Sequence, residues 1–170
     1  VWTDKEKNTY YNNLYLYDIN NEQRTKLLGD IQILSQFSLI GNILVFNAYQ
    51  KLYLIDLNDN THRIIPKDSR YYNSEPRTNG EIVINPQYIY YIDEDKLEDF
   101  ETISPNSKSR TDVNIKGDII CWKDQRESTP YNYFYNLVTK QETKINYRFS
   151  GLPLITENKI LFGSTIYNII

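Results

Sequence analysis

The sequence is poor in the residues on which many catalytic and metal sites depend. It has one cysteine, one histidine and no methionine in 170 residues. A lone cysteine excludes an intrachain disulfide, and a lone histidine excludes a zinc site built on several imidazoles. The sequence contains no glycine-rich phosphate loop and no Gly-x-Ser-x-Gly elbow. These absences predict a chain with no catalytic residues, no metal and no cofactor.

Long hydrophobic runs and an excess of positive charge are also missing. No apolar stretch approaches the length of a transmembrane helix, and no charged-then-apolar signal segment opens the chain. The net charge is −3, from 19 basic and 22 acidic residues. We therefore expect neither nucleic-acid binding nor membrane insertion. The chain starts at Val1 without a methionine, which we interpret as a sign of trimming.

Tyrosine is abundant, with 16 copies, whereas there are only 6 glycines. Tyrosine, isoleucine and threonine favour strands, and asparagine favours the turns between them. No stretch of ten or more residues carries a convincing helical stripe. The composition predicts an all-β protein in which Cys121, inside an apolar strand, is a small buried side chain rather than a reactive thiol.

Two sets of anchor residues repeat along the chain. The first set precedes each apolar strand and is spaced by 39, 37 and 40 residues: Gly41, Gly80, Gly117 and Glu157. The second set ends each aromatic strand: Asp18, Asp56, Asp93 and Asn136. A period near 40 residues is typical of propeller blades, and Asp or Asn at a strand end starts the following turn by bonding its own backbone.

The repeat predicts a β-propeller of four-stranded antiparallel blades, with about four to five blades in one domain over 1–170. We place a partial blade at 1–28, full blades at 31–65, 67–103 and 110–145, and a partial blade at 146–170. Apolar runs such as Ile119–Trp122 predict strands that are covered on both faces by neighbouring sheets. Incomplete blades at both ends favour a segment of a larger propeller over a closed five-bladed ring.

The motif combines an apolar strand ending in Trp-x-Asp, an aromatic strand ending in Tyr-Asp or Tyr-Asn, and a Thr/Lys/Gln turn. This pattern resembles the TolB-like, WD-repeat-like propeller repeats of bacterial and archaeal periplasmic and cell-surface proteins. Tryptophan itself stands only at Trp2 and Trp122, and Phe46, Asn85 and Phe162 occupy the equivalent places. The resemblance implies a periplasmic, cell-surface or extracellular location, and the motif carries no catalytic signature.

Loop lengths predict where recognition occurs. Loops from second to third strands and loops between blades leave the sheets on the same side, and the long ones hold many tyrosines and arginines, which are enriched in protein interfaces. We therefore predict one binding face for a protein or glycan. Its residues are Tyr10, Tyr11, Arg70, Tyr71, Tyr72, Arg77, Arg110, Asp124, Arg126 and Tyr131.

The sequence thus favours a non-enzymatic recognition or scaffolding module that binds a protein or polysaccharide partner through its long-loop face. Self-association, or completion by the rest of a larger propeller, is a further expectation, because uncovered sheet faces are adhesive. The alternative is the propeller domain of a carbohydrate-active or peptidase enzyme, which forms or gates its active site. Two carboxylates and an arginine with strongly shifted pKa values in a deep central pocket would favour that alternative, and a shallow face without such groups would count against it.

Overall fold

The computed structural model describes residues 1–5, 12–32, 37–49, 51–65, 75–148, 151–156 and 158–169. Nearly all regular structure in these ranges is β-strand, and the one helix among them is a short 3₁₀ turn, Phe100–Thr102. The strands form five antiparallel sheets in which neighbours follow chain order. The prediction of an all-β, propeller-like fold is confirmed.

Sheets 1 and 2 hold the first seven strands. Sheet 1 consists of β1 (Trp2–Lys5), β2 (Asn12–Asp18) and β3 (Gln23–Ile31). Sheet 2 consists of β4 (Ser38–Ile40), β5 (Ile43–Ala48), β6 (Lys51–Asp56) and β7 (Thr61–Ile65). These two sheets lie in a first compact unit, Val1–Pro76.

Sheets 3 to 5 lie in a second compact unit, Arg77–Ile170. Sheet 3 consists of β8 (Arg77–Thr78), β9 (Ile82–Ile84), β10 (Tyr88–Tyr91) and β11 (Lys96–Asp99). Sheet 4 consists of β12 (Arg110–Lys116), β13 (Ile119–Asp124), β14 (Tyr131–Asn136) and β15 (Gln141–Ile145). Sheet 5 consists of β16 (Leu154–Ile155), β17 (Lys159–Phe162) and β18 (Thr165–Asn168).

Sheet 4 buries both of its faces, as the apolar run in β13 predicts. Ile120 and Trp122 belong to a core that also contains Ile84 and Phe100 from sheet 3 and the following 3₁₀ turn. The alternate residues of β13, Ile119 and Cys121, belong to a second core with Ile160 and Phe162 of sheet 5. Because successive strand residues point to opposite faces, one four-residue run supplies two interfaces. Cys121 is fully buried, and burial raises the pKa of its thiol.

Trp122 is the largest fully buried side chain of the second unit. Its ring stacks on Tyr133, its partner on β14, at 6.0 Å between centroids, and Phe100 meets it edge-on at 5.1 Å. Sheet 2 repeats the cross-strand pair, because Phe46 stacks on Tyr53 at 5.4 Å. Aromatic residues at this register therefore fix how one sheet lies on the next.

Turns after three of the four aromatic strands follow the predicted mechanism. The Asp18, Asp56 and Asn136 side chains accept backbone N–H bonds from the turn residues that follow them. The prediction is wrong at Asp93, because the pairing of Tyr91 with Lys96 puts Tyr91 at the position that Asp18 and Asn136 occupy in their sheets. The N–H of Asp95 bonds the Ile92 carbonyl in that turn instead.

Two further features qualify the repeat. Asn85 stands at the position of Trp122, where its side-chain oxygen accepts the N–H groups of Gln87 and Tyr88 and starts a tight turn that shortens sheet 3. Ile31, which we placed at the start of the second blade, pairs with Asn12 at the end of β3.

Among the described residues, no helix has the length and hydrophobicity that crossing a bilayer requires.

Candidate functional site

The candidate site lies at one end of sheet 4. In a four-stranded antiparallel meander, the start of the first strand, the end of the second, the start of the third and the end of the fourth share an end. Residues 104–110 before β12, the loop 125–130 between β13 and β14, and residues 146–148 after β15 therefore meet there. We call these three segments, with the strand ends that they join, the sheet 4 rim.

Three of the predicted residues occupy adjacent register positions at this rim. Arg110 pairs with Asp124, and Asp124 pairs with Tyr131. The loop holding Arg126 turns back over them, and the N–H of Gln125 bonds the Ser109 carbonyl of the preceding segment at 3.2 Å. The two long loops are thus joined to each other as well as to the sheet.

Asp124 is a buried hydrogen-bond acceptor for both long loops of the rim. Its side chain is fully buried, and its oxygens accept the N–H groups of Lys108 and Arg126 at 3.2 and 2.9 Å. Burial alone would raise the pKa of this carboxyl, but hydrogen bonds from Ser107, Lys108 and Arg126 hold the pKa below its ordinary value. Asp124 therefore stays ionised and binds both loops to the end of β13.

Arg126 connects Asp124 to the outer strand β15. Its guanidinium donates to Asp124 at 2.8 and 3.0 Å, to Glu142 at 2.6 and 3.1 Å and to the Ser104 hydroxyl at 2.8 Å. The guanidinium carbon lies 4.0 Å from the centroid of Tyr133. Since each of its three nitrogens already donates to a protein acceptor, Arg126 positions the loop.

A second cluster stands next to this network, around the ring of Tyr131. Lys144 Nζ lies 3.7 Å from the ring centroid and 2.6 Å from Glu127 Oε1. On the same ring the Arg148 guanidinium carbon lies 4.9 Å from the centroid, and Arg148 donates to the Tyr131 hydroxyl at 3.0 Å. The bond from Arg148 and one from Thr129 lower the pKa of Tyr131. We call Tyr131, Lys144 and Arg148 the tyrosine cluster.

Arg77 lies away from the sheet 4 rim, and the side chain of Arg110, whose strand position is at the rim, lies beside the 3₁₀ turn. Arg77 lies on β8 opposite Ile84, at the register position that Asn114 has in sheet 4, four residues along β12 from Arg110. Arg110 is half-buried, with its guanidinium 5.0 Å from the Phe100 ring and 4.0 Å from Glu101. Five of the predicted residues lie outside the described part of the chain: Tyr10, Tyr11, Arg70, Tyr71 and Tyr72.

Sequence reasoning missed the contribution of the outer strand. Glu142 pairs with Tyr135 and Lys144 pairs with Tyr133, so both side chains project from the Trp122 face toward the loop residues Arg126 and Glu127. Strict two-residue alternation along β15 would have shown this, because Glu142 and Lys144 share one face with the tyrosines of β14, whereas Phe134 lies on the other face. The described residues contain no group of three or more His, Cys, Asp or Glu placed to hold a metal ion.

No protein-family model matches this sequence, and no curated protein sequence does either. Solved structures do match. TolB from Acinetobacter baumannii aligns over 96% of this chain and 48% of its own, with a TM-score of 0.63 and 13% identity. A chain of a nidogen/laminin complex aligns over 85% of this chain and 61% of its own length, with a TM-score of 0.54 and 11% identity. The chain therefore spans about half the length of TolB.

A third similar structure is that of an enzyme. Dipeptidyl peptidase 4 from Porphyromonas gingivalis aligns over 84% of this chain and 30% of its own, with a TM-score of 0.51 and 10% identity. At these identities the likeness concerns the fold and does not extend to an activity. This chain has the β-propeller-like fold that these otherwise different proteins share.

Proposed function

We propose that the protein is a non-enzymatic recognition or scaffolding module whose sheet 4 rim binds a protein or polysaccharide partner. The observation that carries this proposal is the construction of the rim. Two long loops and an outer strand are joined through Asp124, Arg126 and Glu142, and the joined frame holds Tyr131 and Arg148 at the surface. A rigid frame lowers the entropic cost of binding, and tyrosine and arginine supply contact area and hydrogen bonds.

The location and type of partner belong to the same proposal. TolB and a nidogen/laminin complex are among the similar solved structures, and they support an extracellular, periplasmic or cell-surface setting with a protein partner. A polysaccharide remains the second partner class, because exposed tyrosine rings also stack on sugars. Tyr147, which is 37% exposed, precedes Arg148 in the chain and supplies a further tyrosine in the segment after β15.

Association through a sheet face is proposed as a second way in which the module acts. Leu154, Leu161 and Ile166 are paired in a row across sheet 5, and Leu154 and Ile166 are 62% and 57% exposed. A second copy, or a further sheet of the same repeat in a larger propeller, would cover this row as sheet 5 covers Ile119 and Cys121 of sheet 4.

The enzymatic alternative has one supporting observation. A peptidase and a puromycin hydrolase are among the similar structures, and this chain spans 30% and 22% of them. In that case the propeller would form or gate an active site carried by another part of the protein. The carboxylates of the rim, Asp124 and Glu142, are both bonded to Arg126, which suits a structural role better than proton transfer.

The rim proposal can be tested with a glycan array and a peptide array probed by three forms of the full chain. The rim variant carries Tyr131→Ser and Arg148→Gln. The matched control carries Arg63→Gln and Ile64→Ser, which remove an exposed cation and an exposed apolar residue from β7. We expect the wild type and the control to bind the same ligands and the rim variant to lose them. Equal binding by all three forms would exclude the rim as the binding surface.

A further inference from the structure

Arg148 differs from the other arginines of the rim in its partners. Arg126 is bonded to Asp124 and Glu142, and Arg110 lies near Glu101. Among the described residues, the hydrogen bond and the ring contact of the Arg148 guanidinium are both with Tyr131, and no carboxylate forms an ion pair with it. Arg148 is exposed, so its remaining N–H donors face solvent while the side chain is held in place.

The backbone that carries Arg148 is also held. The side-chain amide of Asn132, which is 2% exposed, donates to the carbonyl of Tyr147 at 2.9 Å. The N–H of Tyr147 bonds the Ile145 carbonyl at 2.7 Å, and Ile145 is buried in the core between sheets 4 and 5. A buried amide and a buried strand end thus fix the segment that presents Arg148, which reduces the entropy lost when the guanidinium binds a ligand.

The charges around Tyr131 leave a small positive excess. Lys144 and Arg148 bring two positive charges to one ring, and Glu127, bonded to Lys144, supplies one negative charge. The pKa of Tyr131 is lowered first by the hydrogen bonds from Arg148 and Thr129 and then by the positive charge of Arg148. A single negative charge placed beside Arg148 would neutralise the excess, whereas a doubly charged group would leave one negative charge without a counter-charge in the cluster.

We propose that the tyrosine cluster is a carboxylate-binding subsite, and that it receives an aspartate or glutamate side chain from an acidic segment of a protein partner. The free edge of the Arg148 guanidinium matches a carboxylate in geometry. The ring of Tyr131, which Arg148 contacts, would lie beside the methylene groups of the acidic residue. This inference rests on the proposed recognition role and names the partner chemistry at that surface.

The binding test uses the full chain and fluorescein-labelled hexaglutamate as probe, followed by fluorescence polarisation at low ionic strength. Hexaglutamine and a hexapeptide containing phosphoserine serve as comparison probes. We expect hexaglutamate to bind, hexaglutamine not to bind, and Arg148→Gln to weaken binding by about tenfold or more, as expected for the loss of one charge-assisted pair. The control variant Arg63→Gln, an exposed arginine on β7, should bind like the wild type.

Four outcomes would overturn the inference. Unchanged affinity in Arg148→Gln would remove the subsite, and an equal loss in Arg63→Gln would reduce it to general charge attraction. Tighter binding of the phosphoserine peptide would assign the cluster to phosphate. The array experiment separates this failure from that of the proposed function, since rim-dependent ligands without acidic residues would leave the recognition role intact and exclude the carboxylate subsite.

Titration of Tyr131 gives a second readout that does not depend on a ligand. With the tyrosine rings labelled with ¹³C, NMR would follow the Tyr131 phenol through its pKa. The cation favours the ionised phenol, so Arg148→Gln should raise the pKa of Tyr131, and bound hexaglutamate should raise it in the wild type. An unmoved pKa in both experiments would mean that Arg148 does not act at this ring.

Discussion

At the scale of single residues, the molecule divides its aromatic and charged side chains between two roles. Trp122 is 1% exposed between sheets 3 and 4, whereas Tyr131 stands at the rim with two cations on its ring. Arg126 and Arg148 divide in the same way, because all three guanidinium nitrogens of Arg126 donate to protein acceptors, whereas Arg148 donates only to the Tyr131 hydroxyl among the described residues. Residue type alone does not separate these roles, since burial and partners decide them.

Replacing Trp122 tests the packing role. We expect Trp122→Ala to lower the free energy of unfolding by about 3–5 kcal/mol, because it leaves a cavity beside Phe100 and Tyr133. Val138→Ala is the matched control, since Val138 is 70% exposed and should change stability by less than about 0.5 kcal/mol. Urea unfolding measures both, and a loss below about 1 kcal/mol for Trp122→Ala would place the ring outside the core.

At the scale of strands and turns, sheets 1 and 4 share a contact between a carboxylate, an arginine and a tyrosine, although the arginine comes from different elements. In sheet 4 a carboxylate at the end of β13, Asp124, meets an arginine from the loop, and that arginine covers Tyr133. In sheet 1 the equivalent carboxylate, Asp4, lies 3.5 Å from Arg24, which covers Tyr15 from the outer strand β3. Arg24 has the register position of Glu142, so the carboxylate–arginine–tyrosine contact recurs although the arginine comes from a different element.

The turns allow a direct test of register. Asn136 accepts the N–H groups of Val138 and Thr139, so Asn136→Ala should destabilise the protein by about 0.5–1.5 kcal/mol. Asp93 is aligned with Asn136 by sequence but lies two residues beyond the equivalent position, Tyr91. Asp93→Ala should therefore change stability by less than about 0.5 kcal/mol. Equal losses for the two variants in urea unfolding would support the sequence alignment and contradict the observed register.

At the scale of the whole molecule, the sequence predicted the architecture well because its main signals are local. Apolar runs such as Ile119–Trp122 and strand-ending residues such as Asn136 mark strands and turns without knowledge of long-range contacts. In the second unit, the predicted anchors Gly80 and Gly117 each precede the corresponding strand of their sheet, β9 and β13. Fold class and strand order were therefore accessible from one sequence.

The candidate site was less predictable, because it depends on which side chains meet between elements. Loop position brought Arg110, Asp124 and Tyr131 to one rim as expected. The contributions of Glu142 and Lys144 depend on the pairing of β15 with β14, which a one-residue shift would reverse. Arg126 donates to several protein acceptors, whereas Arg148 donates to the Tyr131 hydroxyl. This difference depends on side-chain contacts that no sequence pattern encodes.

The most direct test of the rim as a recognition surface is backbone NMR of the full chain with the tightest ligand found on the arrays. The structure predicts chemical-shift changes concentrated in residues 104–110, 125–131 and 144–148, which meet at one end of sheet 4. Changes centred on the outer strand Thr61–Ile65, or spread evenly over all five sheets, would contradict it.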